Sequence, residues 1–90
     1  MRNVFYPVIF HPEETGYSVS VPDVEGCYTQ GETMSEAVAM AQDAIGLMLE
    51  DCKAYPTPSE PTAFDLQPGD FVVMVQFDEA ADKRHQKPVK

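Results

Sequence analysis

The sequence predicts an α+β domain in which a four-stranded sheet carries one helix on one face. Two observations favour this class: short alternating or β-branched segments separated by turn residues, and one longer segment with helical apolar spacing. These elements follow one another as β-β-β-α-β, and the expected sheet order is 3-2-1-4. Ninety residues are enough for one such domain with a small core.

The first three strands are predicted to form an antiparallel meander. Val4 to Phe10 is rich in β-branched and aromatic residues, and Tyr17 to Val21 alternates between polar and apolar side chains. A third, short strand is expected from Cys27 to Gly31, and turn residues separate the three segments. Pro7 has no N–H, so its nitrogen should face away from a neighbouring strand, or a bulge should lie there.

One helix is predicted from Thr33 to near Ala54, ahead of Pro56. Thr33 and Glu36 fit a capping box, in which the Glu36 carboxylate would reach back to the N–H of the cap residue. Cys52 falls on the apolar stripe of this helix and is expected to act as a small hydrophobic residue. The apolar stripe comprises positions 34, 37, 38, 41, 44, 45, 48, 49 and 52.

The fourth strand is predicted from Phe71 to Phe77, after a proline-rich surface loop over residues 55–70. A right-handed crossover through the helix would place this strand beside the first strand and parallel to it. Apolar side chains point to both faces of these two strands, whereas one helix can cover only one face. The surplus apolar surface favours a partner, and ordinary exposure of isolated apolar side chains is the alternative.

Charge is distributed unevenly along the chain, which has 15 acidic and 6 basic residues and a formal net charge of −9. Residues 1–82 hold all 15 acids and two of the bases, whereas residues 83–90 hold four bases and no acid. We therefore expect a folded domain over 1–82. Residues 83–90 form either a solvated basic tail or a linker to a further module. The acidic body argues against a free-standing nucleic-acid binder and favours a cationic partner.

The sequence contains no motif for catalysis, a metal or a cofactor. There is no glycine-rich phosphate loop and no G-x-S-x-G around a serine. The first two strands carry no Asp or Glu for a two-metal nuclease, and the cysteines and histidines lack zinc-ligand spacing. His11 precedes a proline in a loop and is more simply a solvated residue than a general base. We therefore predict a non-enzymatic protein without metal or cofactor, and no apolar run is long enough to cross a membrane.

A stretch from Gly16 to Thr33 carries a family resemblance. It reads G-Y-S-V-S-V-P-D-V-E-G-C-Y-T-Q-G-E-T and is followed by Glu36-Ala37 and Ala44-Ile45. In this pattern the chain resembles the HicB antitoxin family over about residues 3–50, and the strand at 71–77 is in the expected place. The motif residues with a structural role in turns and in starting the helix are Pro22, Asp23, Gly26, Gly31, Thr33 and Glu36.

The resemblance implies a partial ribonuclease-H-like fold without catalytic carboxylates. It also implies that the protein binds and neutralises a small, basic, mRNA-cleaving HicA-type toxin by masking the toxin's RNA-binding and catalytic surface. Many HicB proteins have a C-terminal DNA-binding domain, so DNA binding is expected only through such a domain, which these 90 residues do not contain. The predicted location is the cytoplasm.

The predicted toxin contacts are acids in turns, which suit a basic partner, and apolar residues of the last strand. The alternative function is a free-standing homo-oligomeric binding module of unknown ligand, and a homodimer or higher oligomer is expected in either case. The candidate contact residues are Glu13, Glu14, Asp23, Glu25, Phe71 and Val73.

Overall fold

The chain folds as a four-stranded sheet with one helix, and the computed structural model describes residues 3–50, 52 and 54–78. The sheet order is β3-β2-β1-β4, which confirms the predicted order. The predicted boundary between residues 82 and 83 and the basic segment 83–90 lie outside the described residues. The elements are β1 (Asn3–Pro12), β2 (Tyr17–Ser20), β3 (Tyr28–Gly31), α1 (Met34–Leu49) and β4 (Phe71–Asp78).

The direction of β4 differs from the prediction. β4 pairs antiparallel with β1, from Asn3–Asp78 at one end to Phe10–Phe71 at the other, so the predicted parallel arrangement is wrong. The prediction assumed that the chain enters β4 at the end of the sheet where the helix finishes. Instead, the proline-rich segment runs back along the length of the sheet before β4 begins.

Two contacts mark the path of this segment. The Tyr6 hydroxyl donates to the carbonyl oxygen of Pro56 at 2.7 Å, and Asp70 bonds to His11 at the other end of β1. Tyr6 and His11 are separated by roughly 17 Å of strand, at about 3.4 Å per residue. Residues 56–70 are long enough to cover that distance, and the chain therefore enters β4 from the opposite end.

The core lies between α1 and one face of the sheet. The side chains at helix positions 37, 41, 45 and 49 are buried, as the helical spacing predicts, whereas Met34 and Met48 are partly exposed. The strand residues that face them are buried or partly buried at alternate positions. The buried apolar residues are Tyr6, Val8, Phe10, Val19, Val21, Val24, Cys27, Ala37, Ala41, Ile45, Leu49, Val75 and Phe77.

The helix begins at the predicted residue but ends earlier. Thr33 has extended backbone angles (φ −129°, ψ 166°), and its Oγ1 accepts from the Glu36 N–H at 3.0 Å. The Glu36 carboxylate accepts from the Glu32 N–H at 2.6 Å rather than from the cap residue, which corrects that part of the prediction. At the other end, Glu50 and Cys52 donate to carbonyls three residues back, which closes the last turn. Cys52 therefore lies beyond the helix and is exposed, contrary to the prediction.

Backbone hydrogen bonds alternate along β1 and show how Pro7 is accommodated. Glu13 N–H donates to the Gly16 carbonyl in the β1–β2 turn, so the odd-numbered residues of β1 direct their backbone groups towards β2. β1 pairs with β2 only as far as Ile9–Ser20. The nitrogen of Pro7 points to the side of β1 on which β2 lies, but β2 has already ended at that level. Pairing with β4 continues through Pro7–Met74 in unbroken register. The proline faces away from a neighbouring strand, as predicted.

Candidate protein-binding surfaces

A shallow groove lies where the β1–β2 turn, the end of β3 and the first turns of α1 meet. Three of its lining residues are glutamates, and Met40 and Tyr17 supply apolar surface. Such a combination suits the aliphatic stem and charged end of a lysine or arginine side chain. We call this surface the acidic groove, and it is lined by Glu13, Thr15, Tyr17, Gln30, Gly31, Glu32, Glu36 and Met40.

Two glycines allow the three elements of the acidic groove to converge. A Cβ atom on Gly31 would lie 2.5 Å from the backbone nitrogen of Ala37 and 2.6 Å from its Cα, so β3 passes directly against the start of α1. Gly16 has a φ of +83°, and a Cβ there would lie 2.4 Å from the Gly31 carbonyl oxygen. The motif glycine Gly31 therefore has a packing role between strand and helix.

Hydrogen bonds hold two of the groove carboxylates in place. Glu13 Oε2 accepts from the Ser18 hydroxyl at 2.8 Å and lies 3.9 Å from His11 Nε2. The other ring nitrogen of His11 bonds to Asp70. That hydrogen bond and the charge of Asp70 raise the pKa of His11, and the charge of Glu13 adds to the effect. Glu36 is held by the Glu32 N–H, so the groove presents oriented carboxylates to a partner.

Asp23 has a different role from the other candidate acids. Its Oδ2 accepts from the Ser59 N–H at 2.7 Å, and its Oδ1 accepts from the Ser59 hydroxyl at 2.6 Å. These bonds fasten the proline-rich segment to the β2–β3 turn, where Gly26 has a φ of +78°. Sequence reasoning missed Ser59, because the two residues are 36 positions apart and no local pattern connects them.

The sheet face opposite α1 forms a second surface. Tyr28 is 75% exposed, Phe5 50% and Met74 41%. No Asp or Glu occupies a strand position on this face between the Phe5–Gln76 row and the row of Ser18. We call this largely apolar surface the outer face, and Asp70 lies at its edge beside Ile9 and Ser20. It comprises Phe5, Ile9, Ser18, Ser20, Tyr28, Val72, Met74 and Gln76, and Pro7 lies fully buried among them.

The two apolar candidates in β4 lie on the core side of the sheet, away from the outer face. Phe71 and Val73 are partly buried against the core. The ring of Phe71 stacks on Phe10 at 5.4 Å between centroids and meets the edge of Tyr17 at 6.0 Å. Phe71 therefore supports the wall of the acidic groove through Tyr17. The residue of β4 that exposes a large apolar side chain is Met74.

The candidate residues do not form one cluster. Glu13 lines the acidic groove, and Glu14 is exposed beside it in the β1–β2 turn. Glu25 is exposed in the β2–β3 turn, at the opposite end of β2. The sequence therefore predicted one acid that lines the groove, Glu13. It did not predict that Glu32, Glu36 and Met40 line the same groove. Toxin contact by the six predicted residues stays a prediction.

Other kinds of site were sought in the described part of the chain. In residues 3–50, 52 and 54–78, no three His, Cys, Asp or Glu side chains are grouped so that they could hold a metal ion. No helix in those ranges is long and apolar enough to cross a membrane. Cys27 is buried, and burial raises the pKa of its thiol, whereas Cys52 is exposed.

Comparisons with known proteins identify relatives of this chain. Antitoxin HicB 2 of Photorhabdus laumondii is 45% identical over 62 residues, which are 64% of this chain and 45% of that protein. A chain of a toxin–antitoxin complex from Streptococcus pneumoniae matches with a TM-score of 0.77 and 26% identity, covering 99% of this chain and 78% of that chain. The N-terminal domain of the Burkholderia pseudomallei antitoxin HicB matches with a TM-score of 0.70 and 25% identity, covering 83% and 99% of the two chains.

The family match covers most of the chain. The chain spans only part of the length of three curated relatives, between 41% and 59% of each. A family model described as the HicB-like antitoxin of bacterial toxin–antitoxin systems matches residues 6–87. These residues include most of β1, the other three strands, the helix and the turns between them. The chain therefore belongs to the HicB-like antitoxin family.

Proposed function

We propose that this chain binds and neutralises a small, basic, mRNA-cleaving toxin of the HicA type by covering the toxin's RNA-binding and catalytic surface. The observation that carries the proposal is the acidic groove, whose described lining includes three glutamates around an apolar patch. Membership of an antitoxin family supports it, as does the similarity to a chain of a toxin–antitoxin complex.

Charge explains how such an antitoxin would compete with RNA. A protein that cleaves RNA must offer cationic groups to the phosphate backbone, and those groups are then available to any acidic surface of matching shape. A chain with a net charge of −9 attracts such a partner at a distance, which speeds encounter. The chain would act by binding, as a stoichiometric inhibitor and not as an enzyme.

The proposed contacts centre on the acidic groove. Glu13 and Glu14 meet the toxin there, together with the exposed Glu32. Glu25 would contact the toxin from the β2–β3 turn. Phe71 acts indirectly, by supporting Tyr17 in the groove wall, and Asp23 acts by fastening the proline-rich segment.

The proposed setting is the bacterial cytoplasm, where a toxin that cleaves mRNA finds its substrate. Residues 1–82 would form the toxin-binding domain. The basic residues 83–90 would form either a tail or a linker to a C-terminal DNA-binding domain.

Co-expression with a basic HicA-type toxin tests the proposal. We expect the chain to restore growth, to preserve cellular mRNA and to purify in a complex with the toxin. A toxin that stays active and purifies alone while the chain is present and folded would overturn the proposal. A charge-matched pair of variants, described in the Discussion, tests the groove itself.

A second candidate function is a self-associating binding module, which the outer face favours. Its exposed apolar side chains suit a homodimer or higher oligomer, and self-association there is compatible with toxin binding at the acidic groove. A monomeric mass at high micromolar concentration in sedimentation velocity would contradict this function.

A further inference from the structure

We infer that the toxin adds one extended, basic segment to the sheet by pairing it with β3, along the edge between the acidic groove and the β2–β3 turn. The inference rests on the proposed antitoxin function and specifies how the toxin docks. The segment would run beside Tyr28 and Gln30, with its cationic side chains near the acids at the two ends of β3.

β3 is an edge strand of the sheet within the described residues. The β2–β3 turn shows which backbone groups bond inwards, because the Val21 N–H donates to the Cys27 carbonyl oxygen at 3.0 Å. Hydrogen-bonded pairs recur at every second residue of an antiparallel pair, so the odd-numbered residues of β3 bond to β2. The even-numbered residues, Tyr28 and Gln30, therefore direct their N–H and C=O groups away from β2.

The outward groups of β3 are accessible. Tyr28 is 75% exposed, and Gln30 is also exposed. A Cβ on Gly16 would lie 2.4 Å from the Gly31 carbonyl oxygen, so this odd-numbered residue directs its carbonyl towards the β1–β2 turn and not outwards. In the described part of the chain, no hydrogen bond uses the outward N–H or C=O of Tyr28 or Gln30. Such a row of backbone groups is a template for another strand.

The two edges of the sheet differ in what already occupies them. On the β4 edge, Gln42 Nε2 of α1 donates to the carbonyl oxygen of Gln76 at 2.9 Å, so a side chain already takes one acceptor of that strand. On the β3 edge, α1 contacts the face of the strand, where a Cβ on Gly31 would lie 2.5 Å from the Ala37 nitrogen. Helix packing and edge pairing therefore use different groups of β3.

Two methionines of α1 flank β3 on the helix side of the sheet. Met40 is 41% exposed and lines the acidic groove together with Gln30. Met48 is 40% exposed, and its Cε lies 3.7 Å from the position of a Cβ on Gly26, in the turn that leads into β3. Side chains of an added strand alternate between the two faces, so one set would meet these methionines and the other the ring of Tyr28. The flexible methionines suit apolar side chains of irregular shape.

Acids lie at both ends of this edge. Glu13, Glu32 and Glu36 line the acidic groove at the end of β3. Glu25 lines a second hollow at the start of β3, which it shares with Tyr28. The edge between the two is about 14 Å long, at about 3.4 Å per residue. A segment of about five residues with a lysine or arginine near each end would therefore reach both sets of acids, which the fold otherwise leaves at opposite ends of β2.

Charge favours the toxin over a second copy at this edge. If two β3 strands paired antiparallel, Glu32 of one copy would lie near Glu25 of the other, and parallel pairing would bring the two Glu25 residues together. Like charges across a strand pair are destabilising. A basic segment turns the same acids into attractions, and the ring of Tyr28 beside Glu25 adds a face on which an arginine can stack.

Two substitutions at Gln30 in the full 90-residue chain test the docking edge. Gln30→Pro removes the outward N–H and obstructs an approaching strand, whereas the bonds between β2 and β3 keep their donors. Gln30→Ala removes the same side chain but keeps the N–H. In isothermal titration calorimetry with a basic HicA-type toxin, Gln30→Pro should raise the Kd by about 30-fold or more, and Gln30→Ala by about threefold or less. Circular dichroism and urea unfolding establish that both variants are folded.

The outcomes separate the docking edge from the antitoxin function. Equal losses of affinity in the two variants, or no loss in either, would overturn strand pairing at β3 and leave the proposed function intact. An unmodified chain that does not bind the toxin would overturn the proposed function, and the inference with it.

Amide hydrogen exchange examines β3 directly and needs no substitution. The N–H groups of Tyr28 and Gln30 should exchange at least about tenfold more slowly in the toxin complex than in the free chain. Those of Thr29 and Gly31 bond to β2 in both states and serve as internal controls. Unchanged exchange at Tyr28 and Gln30 in the saturated complex would contradict the inference. Equal protection in a concentrated sample of the free chain would assign the edge to a second copy and would also overturn it.

Discussion

The acidic groove and the outer face belong to one small sheet and helix, yet their electrostatic characters are opposite. Three glutamates line the groove, whereas the strand positions of the outer face carry no carboxylate between its end rows, and Asp70 approaches that face beside Ile9 and Ser20. Within residues 3–50, 52 and 54–78, Asp78 is the one acidic residue in a strand, and the other acids lie in turns, loops or the helix. As a result, most acidic side chains lie on a different surface from the exposed apolar side chains of the strands. One surface suits a basic partner, and the other suits a neutral, apolar one.

Charge reversal in the groove should produce the largest effect. Glu13→Lys combined with Glu32→Lys should weaken binding of a basic toxin about 100-fold, because each change replaces an attraction with a repulsion. The matched control is Glu60→Lys with Asp65→Lys, two exposed acids outside the groove with the same total change in charge. Isothermal titration calorimetry measures both. Equal losses in the two double variants would show that net charge, and not the groove, determines affinity.

Substitution of Gly31 should break the packing on which the groove depends. Gly31→Ala should lower the free energy of unfolding by about 2–3 kcal/mol, because its Cβ would lie 2.5 Å from the Ala37 nitrogen. Gly69→Ala is the control: Gly69 has a φ of +91° but no heavy atom within 4 Å of a built Cβ, so only about 1 kcal/mol of backbone strain is expected. Urea unfolding compares them. If Gly31→Ala lowers the free energy of unfolding no more than Gly69→Ala does, then β3 and α1 can move apart at Gly31 with little loss of stability.

Salt should act on the two surfaces in opposite directions. Raising NaCl from about 0.05 M to about 0.5 M should weaken toxin binding by about tenfold, because the attraction between unlike charges is screened. The same change should strengthen self-association or leave it unchanged, because it screens the repulsion between two acidic chains. Parallel sedimentation and calorimetric titrations measure the two effects. If added NaCl weakened both toxin binding and self-association, the two surfaces would not differ in charge as described.

Asp23 tests whether an acid in the family motif is a contact or an internal support. Asp23→Asn should lower the free energy of unfolding by about 1–2 kcal/mol, because the amide group cannot accept both bonds from Ser59. Toxin affinity of the folded variant should change no more than in Glu25→Gln, an exposed neighbour with the same change in charge. A selective loss of affinity in Asp23→Asn would make Asp23 a direct contact.

His11 lies at the boundary of the two surfaces, and its titration should have the smallest effect. Asp70 raises the pKa of His11 in the folded chain above its ordinary value of about 6.5. The interaction of protonated His11 with Asp70 therefore stabilises the fold fully at pH values below the pKa of His11 in the unfolded chain. This stabilisation is lost as the pH rises through the pKa of His11 in the folded chain. The melting temperature should fall slightly across that window, and His11→Asn should flatten the dependence. A steeper fall in the variant than in the unmodified chain would contradict this assignment.

Local patterns predicted the elements well, because their causes lie within a few residues. Thr33 and Glu36 begin the helix through contacts between near neighbours, and the order of β1, β2 and β3 follows from the short turns between them. The direction of β4 could not be predicted in this way. It depends on contacts of the proline-rich segment with Tyr6, Asp23 and His11, whose partners are 36 to 59 residues away in sequence.

The candidate surfaces were less predictable than the fold. Phe71 and Val73 alternate with Val72 and Met74, and both sets are apolar, so the sequence does not indicate which set the helix covers. The acidic groove joins residues from the β1–β2 turn, β3 and α1, and its composition emerges only when Gly31 brings those elements together. Exposed acids could be identified from sequence, but their grouping could not.

Pro7 and Pro22 act together as a stop for the β1–β2 ladder. In the register that pairs Ile9 with Ser20, the next hydrogen-bonded position would pair Pro7 with Pro22. Neither residue has an N–H, so that position can form no backbone hydrogen bond at all. The hairpin cannot lengthen past Ser20, and the chain is released into the turn that carries Asp23 and Glu25. Two prolines fifteen positions apart in the sequence therefore limit the length of a strand by removing both donors from a single step of the ladder.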